Sequence, residues 1–277
     1  MDKGVVRNIV DVCFYAAMFF LIQFVVHMIG VGVITLVNHV DFNTAFSELI
    51  AGKNGGALAV ISVFCSLITI VLYAKLKWCP VSRNYLASRP WIVLIWVVFL
   101  SLGSILPSEW LYEQMQITMP EEYQELFEGI MKEPWGYVAI GMLAPIAEEM
   151  VFRGAVLRSL FKVMDGKWHW AAIVCSALIF GVVHGNVAQG VHAFVMGCLL
   201  GWLYYRTRSI VPGIVLHWVN NSVAYVLFNL MPEASDGKLI DFFHGDEKLM
   251  LGGIAFSLCI LIPSIFQLAL RMKKVEI

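Results

Sequence analysis

Residues 135–157, WGYVAIGMLAPIAEEMVFRGAVL, are long and apolar enough to cross a bilayer, yet hold two adjacent glutamates and an arginine near their centre. A span needs roughly 20 mostly apolar residues, and each charge at its middle costs about 2.5–3.5 kcal/mol even on lenient insertion scales. Glu148, Glu149 and Arg153 therefore need partners or a polar cavity, which marks this stretch as the functional core of a membrane protein.

The rest of the chain has the same character. Of its 277 residues 60% are hydrophobic and 14% charged, with a mean hydropathy of +0.77, against roughly 45–50% apolar and 25% charged in soluble domains. The chain reads as an integral membrane protein. A formal net charge of -1 argues neither for nor against nucleic acid, so the location of the charges has to be read, and no nucleic-acid partner is expected. The six cysteines are scattered through apolar runs without a C-x-x-C pair, so they read as packing residues.

Eight apolar runs approach the length of a span: about 9–37, 57–74, 90–107, 135–157, 168–186, 188–205, 210–231 and 249–270. Lipid offers no partners to free backbone groups, and the alternation of barrel strands is absent, so these runs are expected as helices. The expected fold is a single all-α membrane domain, a bundle of about eight transmembrane helices. Residues 1–134 would form an N-terminal scaffold, 135–231 the chemical core, and 232–277 an outer loop and last helix. The first run lacks a small-residue cleavage site and is expected to be retained.

Basic residues mark alternate connections: Lys3 and Arg7; Lys75, Lys77, Arg83 and Arg89; Arg158, Lys162 and Lys167; Arg206 and Arg208; and Arg271, Lys273 and Lys274. The connections between are poor in them; 108–134 has Lys132 against seven acidic residues, and 232–248 has two lysines against five. The positive-inside rule then places both termini in the cytoplasm. Within 108–134, Thr118 and Glu121 have the spacing of a capping box, and Tyr123, Leu126, Phe127, Ile130 and Met131 recur on one face. An amphipathic helix over about 119–132 is expected on the outer interface, with Glu121, Glu122, Glu125 and Glu128 toward solvent.

The polar residues of the core fall at helical spacing. Glu149 and Arg153 are four apart and can pair, whereas Glu148, rotated by about 100°, faces elsewhere as the free carboxylate. Pro145 cannot donate a backbone bond and should free a carbonyl nearby. In FGVVHG, Phe180 and His184 share a face, with Gly181 and Gly185 permitting close helix approach. In HWVNN, His217 and Asn221 share another, and Gly197 and Gly201 on the intervening run allow tight packing. A carboxylate, two imidazoles and a carboxamide suit the activation of water against an acyl group, with neutral donors for the oxyanion. No seryl or cysteinyl nucleophile is obvious. If every helix ran straight across, His184 and His217 would differ in depth by about 10 Å.

EEMVFR, FGVVH and HWVNN, in this order on three runs, resemble the E-E-x-x-x-R, F-x-x-x-H and H-x-x-x-N motifs of the CAAX-processing and bacteriocin-processing intramembrane protease family. The resemblance covers about 135–231. It implies an endopeptidase acting on a membrane-associated or lipidated protein or peptide. Glu148 would be the general base, His184 would orient water, and His217 with Asn221 would stabilise the oxyanion. Glu149 and Arg153 match the remaining positions of the first motif, and the pairing argument gives them a supporting role. Members of the family carry a metalloprotease label. Glu148, His184 and His217 could supply three ligands to a catalytic zinc, but H-E-x-x-H is absent and one glutamate would have to serve as ligand and base, so a reaction needing no cofactor is favoured over the zinc version. A non-catalytic bacteriocin-immunity or scaffold protein is the alternative from another class. The expected surroundings are membrane lipids, in a bacterial plasma membrane in preference to an endoplasmic reticulum.

Overall fold

The computed structural model describes residues 3–80, 82–164, 166–231 and 238–272, and all regular structure among them is helical. Lys273 and Lys274, counted above in the basic pattern, lie outside the described residues, as does 232–237 of the outer loop. In chain order, α1 (Lys3–Asn38) is followed by the short α2 (Phe42–Ile50), α3 (Gly55–Lys75), the short α4 (Arg83–Ala87), α5 (Trp91–Gln114) and α6 (Glu121–Met131). A continuous helix over 134–163, here α7, leads into the core. Then come α8 (His169–Val182), α9 (Val187–Thr207), α10 (Val211–Leu230) and α11 (Glu247–Arg271).

By length and composition, α1, α3, α5, α9, α10 and α11 can each cross a membrane. Large apolar side chains cover their outer surfaces, among them Phe24, Ile29, Phe256 and Ile262, which only lipid solvates well. The other two expected spans take different forms. α7 contains two wide π-type stretches, Tyr137–Leu143 and Met150–Leu157, flanking the ordinary α-turn Ala144–Glu149 that carries the paired glutamates. α8 has 14 residues instead of a full span, about 21 Å of helix. It stops because Gly185 turns the chain at φ +74 and Asn186 caps α9 by accepting a bond from Gln189 N. Gly185 therefore serves a turn, not the helix approach expected of it.

Cross-links sort the connections to the two ends of the bundle. At one end Arg158 donates to Trp78 O at 2.7 Å, and Arg206 donates to Ala269 O at 2.6 Å and Met272 O at 3.1 Å, closing the C-terminal carbonyls of α11. Phe14 packs edge-on against Trp78 there, which brings in the start of α1. At the other end Glu113 accepts a bond from Leu239 N, Tyr225 donates to Glu133 O, and Asn229 donates to Met131 O. Basic connections thus gather at one end and acidic ones at the other.

α6 is amphipathic as expected, with Ile130 and Met131 buried and Glu121 and Glu122 exposed. The capping box does not form. Pro120 occupies the N-cap with an extended ψ of 139, so the helix starts at Glu121 and Thr118 lies outside its first turn. Tyr123 ties α6 to the core by donating to Gly185 O at 3.1 Å.

Candidate active site

The two glutamates divide as their spacing suggests. Glu149 is fully buried and its Oε1 accepts a bond of 2.7 Å from Arg153 Nη1, on a side chain only 1% exposed. Arg153 also donates from Nη2 to Gly197 O at 3.3 Å, and its guanidinium lies over the Phe180 ring, 4.4 Å from the centroid. Phe180 therefore supplies a cation–π face to a charge that lipid would repel. The absence of a side chain at Gly197 matters here, because a Cβ would come within 2.9 Å of Ala177 Cβ and 3.3 Å of Arg153 Nη2.

The other oxygen of Glu149 is held against the first turn of α10. A Cβ on Gly213 would collide with Glu149 Oε2. This turn is a helix N-terminus, whose partial positive charge favours a carboxylate. Gly213 escaped the reading of the motifs, although glycine in the V-P-G opening of a helix was the signal available.

Glu148, one residue earlier, keeps 20% of its side chain exposed. Its Oε2 lies 3.8 Å from Nε2 of His217, a ring only 8% exposed. His217 is held at this depth by α5, where Ser101 Oγ donates to the carbonyl of the preceding residue, Leu216, at 3.1 Å. Its Nδ1 lies 3.8 Å from Glu149 Oε1.

His184 stands just past the end of α8, where its Nδ1–H donates to Phe180 O at 2.8 Å. In a neutral ring that leaves Nε2 as an acceptor. The Phe180 ring meets His184 edge-on at 5.0 Å and His217 edge-on at 6.0 Å between centroids. One aromatic side chain thus meets both imidazoles. His192 on α9 lies within electrostatic reach of both His184 and His217, nearer the site than a packing residue need be.

Asn221 is placed one turn beyond His217 and donates from Nδ2 to Ile140 O at 3.0 Å. That carbonyl is open because of Pro145. In the preceding π-type turn Ala144 N–H reaches back to Ala139 O, so the next carbonyl, Ile140, falls to residue 145, a proline without an N–H. The bond belongs to a ladder that docks α10 on the first turns of α7, with Trp218 donating to Tyr137 Oη at 3.2 Å and Tyr225 donating to Glu133 O at 3.0 Å. The structure therefore brings Glu148, Glu149, Arg153 and His217 into one cluster, joins His184 to it through Phe180, and sets Asn221 on the adjoining turn. Among the described residues, no three His, Cys, Asp or Glu side chains are placed to hold a metal ion.

Residues 130–223, the segment that carries this cluster, match a family model described as type II CAAX prenyl endopeptidase Rce1-like. The match covers the three polar helices of the site and about a third of the chain. Three bacterial proteins are similar to the chain. YdiL of Bacillus subtilis, which bears the name "putative membrane peptidase", is 24% identical over 177 residues, 62% of this chain and 71% of that protein. The membrane-embedded CAAX protease MroQ of Staphylococcus aureus is 29% identical over 98 residues, 34% of this chain and 40% of that protein. YaiF of Lactococcus lactis is 25% identical over 188 residues, covering 64% of this chain and 82% of its own length. No solved structure matches significantly. The family match, two relatives named as peptidase or protease and the apolar helices together support an intramembrane protease.

Proposed function

We propose that the chain hydrolyses a peptide bond of a membrane-associated or lipidated protein or peptide, using a water molecule activated by Glu148. The observation that carries this reading is the unequal treatment of two adjacent carboxylates. Glu149 is closed off by Arg153, whereas Glu148 keeps an accessible oxygen beside His217. An accessible carboxylate in a poorly hydrated site can take a proton from water as the water attacks a carbonyl. His184, with Nδ1–H engaged, offers Nε2 to the other proton of that water. His217 and the second amide hydrogen of Asn221 are donors for the oxyanion. As the C–N bond breaks, the proton taken by Glu148 leaves with the amine.

Among the described residues no three His, Cys, Asp or Glu side chains are placed to hold a metal ion, and the proposed steps use protein groups alone. A bacterial plasma membrane is the favoured setting, in keeping with three bacterial relatives.

The test is peptidomics of membranes and medium from native-host cells carrying the wild-type protein or Glu148→Gln at matched expression. Fragments should vanish in the variant while their precursors accumulate, with turnover reduced by roughly 10²–10⁴-fold as for loss of a general base. If every fragment persists, Glu148 is not the base. If the biological effect of the protein persists as well, a binding role such as immunity replaces catalysis.

A further inference from the structure

His217 has a carboxylate at each ring nitrogen, Glu148 Oε2 at 3.8 Å from Nε2 and Glu149 Oε1 at 3.8 Å from Nδ1. The two sides differ in kind. On the Glu148 side the carboxylate is partly exposed, and water or substrate can enter. On the Glu149 side everything is buried, and both His217 Nδ1 and Glu149 Oε2 lack a hydrogen-bond partner. Buried polar atoms are costly to leave unmade. Contacts between catalytic groups are often long in a free enzyme and tighten when substrate binds.

The charges around the ring allow one proton to be shared. Arg153 remains protonated and neutralises one carboxylate. Glu148 and Glu149 with Arg153 therefore carry a net single negative charge, which one proton on either Glu148 or His217 cancels. The other titratable neighbours are His184, across the Phe180 ring, and His192 on α9.

We propose that Glu149 is the positioning residue for His217: it accepts from Nδ1–H, fixes the ring with Nε2 toward Glu148 and the substrate, and lets His217 carry the proton that Glu148 takes from water. This rests on the hydrolytic reading above. The proton passes from water to Glu148, then to the lone pair of His217 Nε2, while Nδ1–H stays on Glu149. The resulting imidazolium donates Nε2–H to the oxyanion and delivers that proton to the leaving nitrogen as the C–N bond breaks. His217 returns neutral and Glu148 ionised. Arg153 keeps Glu149 ionised throughout, so the first-motif pair acts through His217 without touching the substrate.

The experiment is ¹⁵N NMR of the histidine side chains in the full-length protein, ¹⁵N-histidine-labelled in lipid nanodiscs, with the His217 signals identified by their loss in His217→Gln. In the wild type a protonated Nδ1 and an unprotonated Nε2 are expected for neutral His217. In the double variant Glu149→Leu with Arg153→Met no carboxylate faces Nδ1, and Glu148 Oε2 is left as the acceptor at the other nitrogen, so the proton should move to Nε2. A wild-type ring protonated at Nε2 and bare at Nδ1 overturns the proposal, and that measurement needs no Glu149 variant. So does a folded double variant with unchanged His217 signals. Neither result depends on cleavage, so failure of the hydrolytic reading is detected separately, in the Glu148→Gln cells.

Discussion

Arg153→Met keeps the length of the side chain and removes its charge, leaving Glu149 as a buried carboxylate facing Gly213 without a cation. Breaking a buried pair from one side costs about 3–5 kcal/mol. The variant should melt early in detergent and accumulate poorly. Adding Glu149→Leu removes the stranded charge and should recover most of the melting temperature without recovering cleavage. That result would separate what the pair does for folding from what Glu149 does for His217. Gly213→Ala probes the same carboxylate from α10. The added methyl must displace Glu149 Oε2, so a loss of about 1–3 kcal/mol is expected, larger than the helix propensity of roughly 1 kcal/mol gained on replacing glycine, and the thermal melt reads the difference. At this scale the pairing of Glu149 with Arg153 was legible from a four-residue spacing. The contact with Gly213 was not, because it depends on how α10 lies against α7.

α6 and α10 show how much of an element's role comes from what it touches. Periodicity located α6 and its buried face, but the capping residues misled, since proline at 120 moved the start of the helix past Thr118. Thr118→Ala should accordingly leave stability within about 0.5 kcal/mol of wild type, as for an ordinary surface position. Tyr123→Phe should instead loosen α6 by about 0.5–1.5 kcal/mol, because it removes the bond to Gly185 O. Limited proteolysis over 119–132 distinguishes these variants. Acid should loosen the same helix: the hydrogen bond from Lys132 holds the Glu128 carboxyl below its usual range, helped by Gln124. A lowered folded-state value contributes stability above the unfolded carboxylate pKa, about 4.3 for a glutamate, and that contribution is lost as pH falls from there through the lowered value. The effect should be small for a surface pair. On α10, the spacing of His217 and Asn221 was visible in the sequence. The carbonyl that Asn221 takes was only half visible, since Pro145 announced a free acceptor without saying which residue would claim it.

For the whole molecule, composition and apolar run length gave the membrane setting and the helical class, because a bilayer leaves the backbone few alternatives. Those same run lengths concealed the form of α7 and α8. An apolar composition does not distinguish a π-type turn from an ordinary one, and the run taken to 186 continues past Val182, where the turn at Gly185 closes the helix. That shortness has a physical consequence. A helix of 14 residues covers about 21 Å, whereas the hydrocarbon layer is about 30 Å thick. Mismatch of this kind is relieved by thinning the bilayer around the short element. Annular lipids beside His184 would then be compressed, lowering the local barrier to water and drawing the headgroup region toward the catalytic cluster. Lipid acyl length becomes a control on turnover: cleavage in di-14-carbon phosphatidylcholine vesicles should exceed that in di-22-carbon vesicles at equal protein density, and equal rates would mean that the membrane does not yield around α8.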